Sequence, residues 1–472
     1  MTTQTTASES SINAPLSLVE KVGYGVGDMA SNFYMGVINV YLLYYYTAVW
    51  GISPASAGFM FLITKVIDAI SDPAMGLIAD RTQTRWGRYR PYLLWGAVPC
   101  GLFGYLLFMG PDLSETGKLI FAYVSYSLVM LAYTAINVPY SALLAVISPL
   151  EEERLKATQY RFIFASLGTL LVGAITKPLA TALGGGSEVV GFRMTMLLYA
   201  TISVILFWTT FITTKERIQP APSSSSATDD FKVLLKNRSW IVLAISGILV
   251  VIGLVSRISS AAFYGKYYVM ASDEPYLWWM DQTTLMITCG FVGQLIGALL
   301  SPTLLNFVEK KTLMIAANLL CAGSMLLSYL IPVESFGVIV FLYSVGIFAF
   351  GVIITLLFAM YTDCAEYGEW ISGKNSAGLT VSASMFSLKA GSALGSAIPA
   401  AILATFSFDS TLAEQSTEAV QGIQLMFSVV PALFFFAAGA LMFGYKINAQ
   451  LLQQIEKEMN ERRLKQSTAL TD

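Results

Sequence analysis

The sequence predicts an all-α membrane protein with twelve transmembrane helices in two six-helix bundles. Three observations support this prediction. Of the 472 residues, 55% are hydrophobic and only 12% are charged, about half the charged share of an ordinary soluble domain. Twelve apolar runs are long enough to cross a hydrocarbon core, which needs about 20 helical residues. Basic residues cluster in the loops after the even-numbered runs, and this alternation independently supports the count.

The apolar runs fall into two sets of six, separated by a polar joint rich in Pro and Ser at residues 219–230. We place the runs at 22–50, 55–79, 91–110, 117–147, 159–184, 191–213, 238–268, 277–307, 312–331, 336–361, 375–407 and 422–447. The expected domains are a disordered tail at 1–15, an N-terminal bundle at 16–213, a cytoplasmic linker at 214–237, a C-terminal bundle at 238–447 and a cytoplasmic tail at 448–472. The positive-inside rule predicts that both termini are cytoplasmic.

The second run carries three ionisable residues that hydrocarbon does not tolerate without partners. Asp68 and Asp72 fall at i and i+4 on one helix face, and Lys65 lies one turn earlier on the same side. Two like charges so placed imply a bound cation, a proton or a basic partner from another helix. The alternative is a structural salt bridge between Lys65 and Asp68. Ionisable groups inside spans usually mark ion or substrate pathways, which favours a binding function.

The composition also limits the chemistry that is open to this chain. Histidine is absent, and the four cysteines show no CxxC spacing. Zinc sites, disulfide frameworks and imidazole proton relays are therefore disfavoured, and any proton must be carried by carboxylates. No nucleophile–base pair or phosphate-binding loop is present, so the sequence gives no support for an enzyme. We expect no cofactor and no metal beyond Na⁺ at the aspartate pair.

Two polar loop regions have the composition of gates. The loop after the second run holds Asp80, Arg81, Arg85 and Arg88, and it resembles the GxxxDR…GRxR loop of the major facilitator superfamily. In that superfamily an acid and a guanidinium pair across a helix junction and hold the cytoplasmic side shut. The tenth run ends in three acids that either dock against basic loops of the first half or are simply solvated: Asp363, Glu366 and Glu369.

Four motifs in order resemble the glycoside-pentoside-hexuronide:cation symporters. They are Asp68–Pro73, Asp80–Arg88, Glu366–Glu369 and Lys389–Ala393. The resemblance extends from about Val19 to Ile447, nearly the whole chain. It implies a major facilitator fold and uptake of a sugar or glycoside with Na⁺, Li⁺ or H⁺.

The resemblance assigns a cation site and its coupling residues. Asp68 and Asp72 match the two cation-site aspartates of the family, and Thr134 matches a threonine that adds a neutral oxygen. Lys389, near the middle of the eleventh run, matches a lysine that faces the aspartates, and we group Lys65 with it as a coupling residue. An ammonium there would neutralise the acids when no cation is bound. The alternative for Lys389 is snorkelling to an interface.

Five residues are candidates for substrate binding. Arg161 matches the fifth-span arginine near the sugar, although an interface anchor is the alternative. Asn32 and Asn137 stand where the best-known member of the family has two sugar-binding aspartates, and Asp28, one turn before Asn32, is a candidate for the acidic role. Arg257, in the seventh run, has no equivalent that we can align. It either favours an acidic sugar such as a uronide, or pairs with Asp28 or another buried acid.

The sequence as a whole therefore predicts a monomeric symporter of the bacterial cytoplasmic (inner) membrane. Its expected partners are a small sugar or glycoside, possibilities including uronides and pentosides, a monovalent cation and the lipid bilayer, with no nucleic acid. Two other functions remain open. One is cation-coupled transport of a non-sugar substrate such as a lysolipid or an organic anion. The other is a non-transporting membrane sensor of sugar.

Overall fold

The computed structural model describes residues 14–218, 234, 237–271, 274–372, 377–412, 414–455 and 457–459. Within these residues the chain forms helices and no β-strand. Most of the expected disordered tail, 1–15, and most of the expected linker, 214–237, lie outside the described residues. The fold class predicted from the sequence is confirmed.

The first half of the chain contains the helices predicted for the N-terminal bundle. Helix α1 covers Leu18–Val37 and continues through two π-helical turns, Ile38–Leu42 and Tyr45–Val49. The helices that follow are α2 (Pro54–Arg81), α3 (Arg90–Leu107), α4 (Glu115–Ile147), α5 (Glu151–Gly184) and α6 (Glu188–Thr213). Ser17 begins α1 with a capping box, because its side chain accepts from the Glu20 amide and the Glu20 carboxylate accepts from the Ser17 amide.

The second half repeats this pattern. Its helices are α7 (Arg238–Phe263, with a π-helical turn at Tyr264–Tyr268), α8 (Gln282–Leu304), α9 (Lys310–Leu330), α10 (Phe336–Ser372), α11 (Ala377–Thr405) and α12. Helix α12 covers Thr417–Gln424, a π-helical turn at Leu425–Val429 and Val430–Leu441. Residues 449–455 of the expected tail are also helical, and Ile455 is buried.

Nine helices in the described part of the chain, α4 to α12, are long and apolar enough to cross a membrane. The remaining three helices are α1, which holds Asp28, α2, which holds Asp68 and Asp72, and α3, which follows the gate loop. Their lengths of 20, 28 and 18 residues lie within or above the range of about 17–25 residues that a transmembrane helix needs. Twelve spans are therefore compatible with the structure.

The chain divides into two compact units. Unit 1 comprises the described residues within 1–222, 259–288 and 399–422, and unit 2 comprises those within 223–258, 289–398 and 423–472. In unit 1, α1 packs along α5 and α6, and a Cβ added at Gly25 would lie 2.9 Å from the Tyr160 carbonyl oxygen of α5. In unit 2, Gly293 of α8 faces the Ser344 carbonyl of α10 in the same way. Such small residues let membrane helices approach closely.

Candidate functional site

The aspartate pair of α2 lies beside α4 within unit 1. Asp68 is only 4% exposed, and Asp72 is half-buried one turn later. Thr134 of α4, also 4% exposed, donates from Oγ1 to Oδ1 of Asp72 at 3.0 Å. Two carboxylates and a hydroxyl on facing helices form a set of oxygen ligands that suits a hard monovalent cation or a shared proton. The structure therefore joins Thr134 to Asp72, with Asp68 one turn earlier on the same helix, and their use as a cation site stays a prediction.

Pro73 removes one backbone hydrogen bond from this part of α2. It lies inside the helix, directly after Asp72, and proline has no amide hydrogen. The Ala69 carbonyl consequently lacks its usual helical donor four residues later. The turn of α2 that joins Asp68 to Asp72 therefore contains one fewer backbone hydrogen bond than a regular helix.

The two lysines predicted to couple ion and substrate are placed less completely. Lys65 lies in α2, but its side chain is outside the described residues. Lys389 lies in α11 and is half-buried. Its proposed relation to the aspartates stays a prediction.

Asp28 and Arg161 form an ion pair between α1 and α5. Arg161 donates from Nε to Oδ2 of Asp28 at 3.1 Å, with exposed side-chain fractions of 23% for the arginine and 14% for the aspartate. The guanidinium also lies over the Tyr140 ring, 5.0 Å from its centroid. Tyr140 is fixed in turn, since its ring stacks on Tyr24 and its hydroxyl donates to the Tyr24 carbonyl at 2.6 Å. The guanidinium is thus held in place and remains partly accessible.

Asn32 extends this polar group by one turn. Its amide nitrogen donates to the Asp28 carbonyl at 2.8 Å, and its oxygen accepts from Thr169 Oγ1 at 3.0 Å. Asn137 is half-buried on α4, three residues after Thr134. The N-terminal half therefore provides hydroxyl, amide, carboxylate and guanidinium groups, the groups that bind hydroxyl-rich ligands.

Arg257 has a different environment within unit 2. It is fully buried, at 0% exposure, and Nη1 donates to the Phe427 carbonyl at 2.8 Å. Its guanidinium lies 4.3 Å from the Phe427 ring centroid and 5.0 Å from that of Tyr343. Phe427 belongs to the π-helical turn of α12, where the regular pairing of carbonyls is interrupted. Asp28, one of the partners considered for Arg257, is instead paired with Arg161.

The gate loop after α2 is fixed by acids in a way that the sequence does not reveal. Asp80 accepts a hydrogen bond from the Tyr89 hydroxyl at 2.8 Å, and burial together with this bond raises the pKa of Tyr89 to about 12. The hydroxyl therefore remains a donor at physiological pH. Glu216, just after α6, accepts from the backbone amides of Arg88, Tyr89 and Arg90 at 2.7–3.0 Å. Arg81 and Arg85 are exposed.

The acidic end of α10 includes an ion pair to α9. Asp363 is bound by Lys310 of α9 at 2.7 Å, within unit 2. Glu366 is exposed and Glu369 is half-buried. Docking of these acids against loops of the first half stays a prediction.

Sequence reasoning did not identify Glu216, Tyr140 or Thr169, nor a charged cluster around Glu188 that is described below. Tyr140 and Thr169 lie in apolar runs and look like packing residues. Glu188 and Glu216 lie at helix ends, where a charged residue is the ordinary expectation. The signal that could have found the Asp28–Arg161 pair is the cost of two opposite charges inside spans, which predicts that they meet.

Comparison with known proteins agrees with this architecture. The family described as "MFS/sugar transport protein" matches residues 23–449. The putative glycoside/cation symporter YagG of Escherichia coli (strain K12) is 34% identical, over 97% of this chain and 98% of that protein. The glucuronide carrier protein homolog of the same organism is 29% identical, over 98% of this chain and 99% of that protein.

Among solved structures, a bacterial homolog of the human lysosomal transporter Spinster, in an inward-facing and occupied conformation, is similar in fold. Its TM-score is 0.65 at 14% identity, over 90% of this chain and 95% of that one. At this identity the likeness concerns the fold alone. The match over nearly the whole sequence and the 34% identity to a full-length relative establish that the chain belongs to the MFS/sugar transport protein family, as the resemblance to the glycoside-pentoside-hexuronide:cation symporters predicted.

Proposed function

We propose that this protein carries a sugar or glycoside across the membrane together with a monovalent cation by alternating access. The observation that carries the proposal is the hydrogen bond from Thr134 of α4 to Asp72 of α2, one helical turn from the buried Asp68. Two intramembrane carboxylates with a hydroxyl beside one of them offer oxygen ligands that suit a hard cation, without the histidines or cysteines of a transition-metal site. The names of the relatives, a glycoside/cation symporter and a glucuronide carrier homolog, support the same pairing of cargo and ion.

The coupling ion is Na⁺ or H⁺, and Li⁺ fits the same oxygens. In this scheme the cation binds between Asp68 and Asp72 and releases Lys389, whose ammonium balances the two acids in the cation-free state. Both termini are cytoplasmic in this scheme, which the basic loops after the even-numbered runs support. The gate residues Asp80, Arg81, Arg85 and Arg88 then belong to the cytoplasmic side, together with Asp363, Glu366 and Glu369.

The substrate contacts are proposed to come from Arg161, Asp28, Asn32 and Asn137. Arg161 keeps 23% of its side chain exposed while its charge is balanced by Asp28, so hydroxyl or carboxylate oxygens of a ligand can reach the remaining donors. Arg257 is a further candidate for substrate binding, but its complete burial favours a structural role.

The test is sugar counterflow in proteoliposomes, with a panel of neutral glycosides and uronides and with Na⁺ or protons alone. We expect one class of sugar to exchange, and Asp68→Asn to abolish stimulation of its uptake by the cation. Thr134→Val should weaken cation affinity by about tenfold or less, because a neutral ligand contributes roughly one hydrogen-bond equivalent. Thr134→Ser is the matched control that keeps the hydroxyl. Cation-stimulated uptake that survives Asp68→Asn would contradict the assignment.

A further inference from the structure

Four polar side chains meet on the side of the helices opposite to the beginning of α1, which we call the distal side. We call them the distal cluster: Tyr44, Lys177, Glu188 and Lys266. Tyr44 lies between the two π-helical turns of α1, Lys177 is near the end of α5, Glu188 is the first residue of α6, and Lys266 lies in the π-helical turn that ends α7. All four belong to unit 1. None of them has a part in the ion or sugar site proposed above.

Glu188 is the shared acceptor of this cluster. Its carboxylate oxygens accept from Lys266 Nζ at 3.2 and 3.5 Å, from the Tyr44 hydroxyl at 3.0 and 3.2 Å, and from Lys177 Nζ at 3.4 Å. Lys266 also donates to the Tyr44 hydroxyl at 2.9 Å. The position of Glu188 at a helix N-terminus favours its negative charge further. One carboxylate therefore holds two ammonium groups at the same time.

The two lysines differ in their connection to the chain. Lys177 and Glu188 lie on consecutive helices of the first six, joined by the short connection 185–187. Lys266 belongs to α7, in the second set of six helices. Of the two ion pairs, only Lys266–Glu188 joins the first six helices to the second six, and the Tyr44–Phe263 ring contact, with centroids 5.5 Å apart, makes the same connection.

Two further features indicate that the Lys266–Glu188 contact can break and re-form. Tyr44 directly precedes a π-helical turn and Lys266 lies inside another, and such turns occur frequently at functional sites. A cavity of about 270 Å³ adjoins the cluster, lined by all four of its residues and by Ala262 and Asp281 among others. Space beside a charged contact lets its side chains rotate and lets water replace the contact.

We propose that Lys266–Glu188 is a latch that holds the distal side closed, and that Lys177 is a resident counter-ion that makes the latch easier to open. The proposal rests on the proposed function, in which the distal side faces outward. When Lys266 leaves, Glu188 keeps Lys177, so opening does not strand a partly buried carboxylate without a cation. Removal of one partner from such a pair is otherwise costly. Lys177 and Lys266 are thus positioning residues with opposite effects on the equilibrium between the closed and the open distal side. Lys266 favours the closed state, and Lys177 favours the open one.

The test measures outward opening by reaction of a single cysteine with a membrane-impermeant thiol reagent. Ala262→Cys, at the buried cavity wall, is placed in a full-length protein in which the four native cysteines are replaced by serine. Lys266→Gln should raise the labelling rate up to about fivefold, the effect of a partly exposed ion pair. Lys177→Gln should lower it by a similar factor. Tyr44→Phe should raise it less than Lys266→Gln, and Lys266→Arg should leave it near the starting rate.

A control separates failure of the latch from failure of the proposed function. Asp112→Cys lies in the exposed loop between α3 and α4 and should react from outside whatever the state of the latch. If only reagent supplied from inside reacts there, the proposed orientation is wrong. If Asp112→Cys reacts from outside but the two lysine substitutions change Ala262→Cys labelling in the same direction, or not at all, the latch is overturned. Tyr44→Phe, which removes only a hydroxyl, decides the matter should a lysine variant fail to fold.

Discussion

Arg161 and Arg257 are both arginines inside membrane-spanning helices, yet their surroundings are almost opposite. Arg161 has a carboxylate partner, an aromatic ring on one side and 23% of its side chain exposed. Arg257 has a backbone carbonyl, rings of two aromatic residues and no exposure. A guanidinium that must exchange partners needs access and a balancing acid. One that is fully buried against two stacked rings contributes instead to the packing of the helices that it contacts.

Both residues are arginines in apolar runs, yet their structural surroundings differ. An arginine in an apolar run indicates a function, because its cost must be offset. The ion pair with Asp28 contributes to this offset at Arg161. The carbonyl of a π-helical turn and two aromatic faces contribute to it at Arg257. Exposure and partner type, rather than position in a span, therefore separate the candidate binding residue from the candidate structural one.

The largest expected effect is on transport by Arg161→Ala. This change removes the donor fork and leaves Asp28 as a half-buried carboxylate without its cation, at a cost of roughly 2–5 kcal/mol, or about 30-fold or more in uptake. Initial uptake rates per folded transporter in proteoliposomes measure it. Arg257→Ala is the matched control. Should Arg257→Ala lose more uptake per folded molecule than Arg161→Ala, the assignment of the two roles is reversed.

The second effect is on stability, and it should be concentrated at Arg257. Arg257→Ala leaves the Phe427 carbonyl buried without its donor and removes the contact with both rings, at a cost of about 2 kcal/mol. A melting curve in detergent should therefore shift down by more than the curve of Arg161→Ala. Arg257→Met, which refills the volume without a charge, should fall between alanine and the native residue. An unchanged melting temperature for Arg257→Ala would argue against a structural role.

The same substitution at both positions gives a smaller effect. Lysine keeps the charge but loses the planar fork and its stacking. We expect Arg161→Lys to raise the KM for sugar by about three- to tenfold, since a bidentate contact becomes a single one. Arg257→Lys should leave KM unchanged and lower the melting temperature. Equal changes of KM at the two positions would remove the distinction.

The smallest effect concerns the charge of the substrate. Asp28→Asn removes the acid that balances Arg161, so the uptake of a uronide relative to a neutral glycoside should rise by about threefold. Arg257→Lys, whose charge is retained and buried, should leave the ratio as it is. Competition between labelled neutral glycoside and unlabelled glucuronide measures the ratio. A fall in the ratio for Asp28→Asn would show that Arg161 does not face the sugar.

Much of the helical framework could be predicted because membrane helices have a strong hydropathy signal. The third run, predicted at 91–110, is observed at Arg90–Leu107, and the eleventh, predicted at 375–407, is observed at Ala377–Thr405. The π-helical turns could not be predicted, because one extra residue in a turn leaves hydropathy unchanged. Interior prolines such as Pro73 were visible, but their effect on a carbonyl depends on the helix that surrounds them.

The candidate site was predicted in part. The contact of Thr134 with Asp72 agrees with the cation site assigned by resemblance. The Asp28–Arg161 pair joins residues 133 positions apart, and no spacing rule connects them. The distal cluster was missed for the same reason, since Lys177, Glu188 and Lys266 each look like ordinary helix-end charges when taken alone.

Glu216 accepts three consecutive backbone amides of the loop between α2 and α3, and Gly87, at φ +110°, is so close to its carboxylate that a Cβ there would collide with it. These hydrogen bonds attach the loop firmly to the segment that follows α6. A tilt of α6 would carry Arg88 and its neighbours along as one rigid piece. A movement of α6 within the bundle would thus displace the positive charge of Arg88 at the surface.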